Sequence, residues 1–215
     1  MTKTRSLIRS TALTATAAAA ALALTACGNG DDKSSGTHEG HDSGSSSSAP
    51  EKKARNHNKA DVEFAKGMIP HHRQAVEMSD MAASRASSGK VKGLAKKIEK
   101  AQGPEIKTMS GWLKSWGEKV PEDMSGMDHD MGQGDSSEMP GMMDQKQMAE
   151  LKNASGRKFD KQFLTMMVGH HKGAVEMAET EKKQGKYDPA KKLAGDVISA
   201  QTSEITQMNK LLGRS

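Results

Sequence analysis

The chain has 215 residues, 34% hydrophobic and 27% charged, and it carries 16 Met against three Phe, two Trp and one Tyr, so flexible thioethers stand where rigid rings usually supply buried area. Its single cysteine excludes an internal disulfide framework, a Cys-based zinc site and a CxxC redox motif. A mean hydropathy of -0.74 excludes a polytopic membrane protein, and the formal charge of +5 can be judged only once the first residues are assigned.

Lys3, Arg5 and Arg9 precede an uncharged Ala/Leu/Thr-rich run from Thr11 to Leu24. A basic start before a short apolar run marks a secretory signal, too short to span as a stable anchor, so residues 1–26 are expected to be removed. The run ends in Leu24-Thr25-Ala26-Cys27, which resembles the bacterial lipobox. That resemblance implies that Cys27 is diacylated and becomes the mature N-terminus; an ordinary cleaved signal with a chance cysteine is the alternative. Multiple acyl chains give stable anchoring, so the mature protein is expected on the extracytoplasmic face of the bacterial cell membrane. Losing the three basic residues leaves 29 basic against 27 acidic residues, a balance of +2. No basic cluster interleaved with aromatics is visible, so nucleic acid is not expected as a partner.

Residues 27–57 read as a lipid-anchored flexible tether. Gly28 to Pro50 is rich in Ser, Gly and Asp and includes the run Ser45 to Ser48. His38 and His41 within this stretch read as solvated polarity more than as a metal site.

The folded part is a duplication. Asp61 to Met81 lies over Asp160 to Thr180 at a constant offset of 99, with Phe, Met, His-His and Ala-Val-Glu-Met coinciding. The same offset lays AQGPEIKTM at Ala101 to Met109 over AQTSEITQM at Ala200 to Met208. Two separated blocks with one shared offset mean two copies of one unit, residues 61–113 and 160–212. Apolar positions recur at three and four in each copy without strand-like alternation, which predicts a helical hairpin. Phe64, Met68, Ala75 and Met78 form one face, repeated by Phe163, Met167, Ala174 and Met177. The second helix of each copy runs through Leu94, Ile98, Gln102, Glu105 and Met109, and through Leu193, Val197, Gln201, Glu204 and Met208. Ser87-Ser88-Gly89 supplies the first break, Asp188-Pro189 starts the last helix, and Asp144 caps a short extra helix over 145–153. Two such hairpins predict an all-α fold, an antiparallel four-helix bundle, whose ligand sites are built from facing core side chains.

Pro70 falls inside the first helical pattern and Gly169 takes its place in the second copy. Both weaken a helix beside a histidine pair, and a kink at Pro70 would aim the imidazoles. A helix that starts at Pro70 is the other reading.

Met68 lies three and four residues before His71 and His72, and Met78 seven beyond His71, so their thioethers share a side of the helix with the rings. Adjacent side chains diverge by about 100°, so one histidine of each pair is expected to point fully inward. Pseudo-symmetry would then bring His71 or His72 towards His170 or His171, with Met68, Met78, Met167 and Met177 above and below. Glu105 and Glu204 are candidates to fix the imidazole tautomers from behind. Imidazole with thioether and no thiolate suits copper, Cu(I) in particular, whereas zinc prefers further Cys, His or carboxylate ligands. A polar layer in a bundle, with Met as filler and His satisfied by Glu, is the structural alternative.

Between the copies lies Pro121 to Met143, with six Met, one His, six acidic residues and no Lys or Arg. So polar and Gly-rich a segment offers its Met side chains no apolar face to fill. Met124, Met127, His129 and Met131 within it resemble the Met-rich copper motifs of bacterial extracytoplasmic copper-handling proteins, and such a loop can wrap thioethers around Cu(I) or Ag(I).

MIPHHRQAVEM and FDKQFLTMMVGHHKGAVEMAE resemble the signature of the DUF305 family, small bacterial exported helical proteins, over residues 58–212. The resemblance implies a ferritin-like bundle and, from members associated with copper binding and resistance, a metal role for Met68, His71, His72, Met78, Met167, His170, His171 and Met177. A protein that sequesters copper or hands it to copper-handling proteins of the envelope is the function expected, and no enzyme. A ferritin-like di-iron oxidase is weaker, because no Glu has a His three residues on. A non-catalytic helical interaction module without metal is the rival, since no nucleophile-base pair, phosphate loop or acid pair is evident. Oligomeric state is not legible in the sequence.

Overall fold

The computed structural model describes residues 56–122 and 139–214. Cys27, the signal, residues 27–55 of the tether and the loop residues Met124, Met127, His129 and Met131 lie outside the described residues. Among those described there are five helices and no strand: α1 Lys59–Arg85, α2 Gly89–Trp116, α3 Gln145–Asn153, α4 Gly156–Gln184 and α5 Asp188–Leu211. None is long and apolar enough to cross a membrane.

The helix boundaries follow the local chemistry. Asn58 caps α1 in a reciprocal box with Asp61, Ser88 caps α2, and Asp144 caps α3 in a box with Gln147. Pro189 occupies the first turn of α5, where its missing N–H costs nothing. Pro70 does not start a helix: α1 begins at Lys59 and continues through it. The helix survives because both flanks are buried, Phe64, Met68 and Ile69 on one side and Ala75 and Met78 on the other, and tertiary packing outweighs the lost backbone bond.

Helix α1 packs on α2, α4 packs on α5, and α1 meets α4. Two carboxylates lock this arrangement reciprocally. Asp61 of α1 accepts from the backbone N–H groups of Lys186 and Tyr187 in the α4–α5 turn, at 3.0 and 2.9 Å. Asp160 of α4 accepts from Ser87 N at 3.1 Å and Ser88 N at 3.0 Å in the α1–α2 turn. The acceptors and donors of the two locks are themselves 99 residues apart, so each hairpin closes the turn of the other. Turn N–H groups at a helix start have no partner along the chain, and a carboxylate is a strong acceptor for them.

Apolar side chains form two separate clusters. One gathers Ala75, Met78 and Ala82 of α1 with Phe159, Phe163, Leu164 and Met167 of α4 and Met208 of α5. The other gathers Phe64, Ala65, Met68 and Ile69 of α1 with Ala174 and Ala178 of α4 and Met109 of α2. Early α1 thus shares a cluster with late α4, and late α1 with early α4. The chain between them on each helix carries His-His.

Candidate metal centre

His71, His72, His170 and His171 all have zero exposure, so burial does not divide each pair into an inner and an outer ring as the sequence suggests. What divides them is their partners. The His71 and His170 rings face each other across the α1–α4 contact, with centroids 3.8 Å apart and planes at 43°. His72 turns back to α2, its Nε2 2.7 Å from Glu105 Oε2, and His171 turns back to α5, its Nε2 2.7 Å from Glu204 Oε2. Both glutamate side chains keep about a fifth of their surface in solvent, 21% and 20%. An Nε2–H donating to a carboxylate leaves Nδ1 as the basic nitrogen.

The same tautomer holds at His71, whose Nε2–H donates to the carbonyl of Pro140 at 3.1 Å. Nδ1 of His71, His72 and His171 and both ring nitrogens of His170 are buried without a hydrogen-bond partner. Leaving such groups unmade is costly, of order 1–3 kcal/mol each, so this layer is poor as mere structural polarity. Burial, with the neighbouring imidazoles of His72 and His171 adding to it, pushes His71 down to about 3 against the opposing pull of the Pro140 carbonyl. His170 lies well below its ordinary value for the same leading reason. Both rings are therefore neutral at physiological pH, with lone pairs free to meet a Lewis acid.

Thioethers flank the layer on each side. Met68 and the half-buried Met177 belong to one cluster, Met78 and Met167 to the other. Pseudo-symmetric Met109 and Met208 are buried there as well, and Gln102 and Gln201, three residues before the glutamates, leave a buried Oε1 unpartnered. Among the described residues no three His, Cys, Asp or Glu side chains converge as a cage for a metal ion. A metal held here would draw on imidazole and thioether together, which is the donor set of a soft ion.

The loop between the copies behaves differently from expectation at its described ends. Arg73 Nη1 donates to the carbonyls of Pro121 and Glu122, at 2.8 and 2.9 Å, while Gln74 exchanges two 2.8 Å bonds with the backbone N–H and carbonyl of Met143. Pro140 and Gly141 occupy the centre of a turn closed by Met142 N to Met139 O at 3.2 Å, with Gly141 at φ +79°, as a type II turn requires. Met139, Met142 and Met143 are partly buried, and Met143 packs on the apolar cluster of Met78 and Met167. The expectation that none of the loop's Met side chains finds an apolar face is therefore corrected for Met143. Sequence reading missed Arg73, Gln74 and Met139; the readable signal was the Pro-Gly turn and the point where the two copies diverge, Gln74 against Gly173.

The chain matches the family described as Domain of unknown function (DUF305) over residues 61–212. No curated protein matches it. Among solved structures it is similar to a putative secreted DUF305 protein from Streptomyces coelicolor, at 32% identity and a TM-score of 0.62, over 72% of this chain and 91% of that one. A DUF305 fragment from Deinococcus radiodurans aligns at 27% identity and a TM-score of 0.63, over 74% and 98% of the two chains. CopM in its Cu(I)-bound form aligns at 32% identity and a TM-score of 0.57, over 70% and 94%, and CopM has also been solved with Cu(II) and with Ag bound. With that match running over residues 61–212, both histidine pairs included, the chain belongs to the DUF305 family.

Proposed function

We propose that this protein is a lipid-anchored, extracytoplasmic copper-binding protein that sequesters or hands over Cu(I), with Ag(I) as a second soft cargo, and that it is not an enzyme. In this reading the signal 1–26 is removed, Cys27 carries the lipid, residues 27–57 are the tether, and the two hairpins form an antiparallel, ferritin-like four-helix bundle. The observation that carries it is the close, tilted pair His71 and His170, neutral, with unpartnered buried nitrogens and thioethers on both sides. Glu105 and Glu204 hold the His72 and His171 rings in the tautomer that leaves Nδ1 basic. CopM, a relative crystallised with Cu(I), Cu(II) and Ag, supports the choice of metal.

The test is elemental analysis of the mature protein isolated from its native envelope, with and without the loop ligands. Copper above zinc and iron is expected. Replacing Met124, Met127, His129 and Met131 together lowers the copper content if the loop binds independently, and leaves it unchanged if the helical site holds the metal. Zinc or iron in place of copper would overturn the reading, and no metal at all would favour a metal-free interaction module.

A further inference from the structure

The two copies differ most tellingly on the faces of α1 and α4 that carry the histidine pairs. Gly67, Pro70 and Gln74 of the first copy correspond to Met166, Gly169 and Gly173 of the second. The strap Met139–Met143 runs over this face. A Cβ at Gly173 would lie 1.8 Å from the Pro140 carbonyl oxygen, and one at Gly141 would lie 2.6 Å from the Gly169 oxygen. A side chain at either place would drive the strap off. At the position matching Gly173, Gln74 instead clasps Met143 by both its backbone groups. The asymmetry is thus what a strap crossing a pseudo-twofold site demands: room on one helix, a clasp on the other.

The strap also brings sulfur. A Cβ at Gly67 would lie 2.8 Å from Met177 Cε and 3.8 Å from Met139 Sδ, so the two thioether chains meet over this glycine. Gly67 is one turn before His71, whose ring is held by the next strap residue, Pro140. We infer that Met139 is a metal ligand, paired with Met177 beside His71, and that Gln74 and Gly173 are the positioning residues that seat it. This assignment rests on the copper reading above. It makes the strap one wall of the site, and the site asymmetric although the hairpins are duplicated.

The experiment compares wild-type mature protein with Met139→Leu, Gly173→Ala and Gln74→Ala. Cu(I) competition against a chromophoric chelator gives affinity, and X-ray absorption of the Cu(I)-loaded protein gives the sulfur count. Met139→Leu keeps the packing volume and is expected to remove one sulfur neighbour and weaken Cu(I) by at least about tenfold, the lower end of what loss of an outer-shell support alone costs. Gly173→Ala is expected to do the same with unchanged helix content. Gln74→Ala, without metal, is expected to speed hydrogen exchange at the Met143 amide. Wild-type-like affinity and sulfur count in Met139→Leu would overturn the assignment while leaving the copper reading intact. Failure of the wild type to take Cu(I) would overturn both. Unchanged exchange in Gln74→Ala would remove Gln74 from the device, and should Gly173→Ala misfold, Met139→Leu decides alone.

Discussion

At the scale of single residues, the fold sets carboxyl and imidazole groups against their ordinary chemistry in two separate places. The first is the histidine layer. The second is Glu181, 1% exposed, which takes the place of Ala82 in the other copy. Burial first, and then the Asp61 carboxylate beside it, push Glu181 up to about 8, with Lys191 pulling weakly the other way. Burial alone would raise Asp61 too, but backbone donation from Tyr187, Asn58 and Lys186 outweighs it and leaves it lowered. A carboxyl raised in the folded state favours folding fully below its unfolded value, and loses that contribution as pH rises through the folded one. Glu181's own contribution is therefore predicted to fall between about pH 5 and pH 8, by no more than about 1.4 kcal/mol per unit. His71 and His170, lowered in the folded state, pull the other way below about pH 6.5, so the net fall is confined to about pH 7–8. Asp61 acts only below the ordinary carboxylate range and does not enter this window. Glu181→Gln should flatten the slope and raise the melting temperature at pH 8; chemical denaturation at several pH values checks it, and an unchanged slope would assign the dependence elsewhere.

At the scale of elements, the sequence was a good guide wherever periodicity carried the information. Both hairpins, the break at Ser87-Ser88-Gly89, the Asp144 cap and the start at Asp188 are visible in spacing and cap chemistry, because helices are local. Glu105 and Glu204 were legible as carboxylates behind the histidine pairs, but which ring each one holds, His72 and His171, is visible only in three dimensions. The strap was not. Its residues read as polar linker, and nothing local shows that Gln74 would reach Met143 or that Gly173 would leave room for Pro140. The locks at Asp61 and Asp160 were equally hidden, although both aspartates align, because an exposed carboxylate and an interhairpin clasp look the same in one dimension. These locks make a prediction. Asp61, with zero exposure and three backbone N–H donors, should cost more when lost than the partly exposed Asp160. Asp61→Ala is expected to lower stability by about 3 kcal/mol or more and Asp160→Ala by about 1–2 kcal/mol. Equal small effects in urea denaturation would mean that the turns are held by the helices alone.

At the scale of the whole molecule, the methionines of this aromatic-poor chain divide by place among the described residues. Some fill the two apolar clusters, some flank the histidines, and one reaches the layer on the strap. A purely structural polar layer should improve when its unpartnered groups are replaced by apolar ones, whereas a metal centre should lose its ion. His71→Leu/His170→Leu separates these, because the helices are kept whether the layer is structural or a metal centre. Cu(I) competition on mature wild type and on this double variant is the most direct measurement. Wild type is expected to withdraw Cu(I) from the chelator, and the double variant, at least as heat-stable as wild type, to bind at least about a hundredfold more weakly, the upper end of what loss of outer-shell support alone costs. A wild type that takes no Cu(I), or a double variant that binds as tightly, would contradict the copper reading.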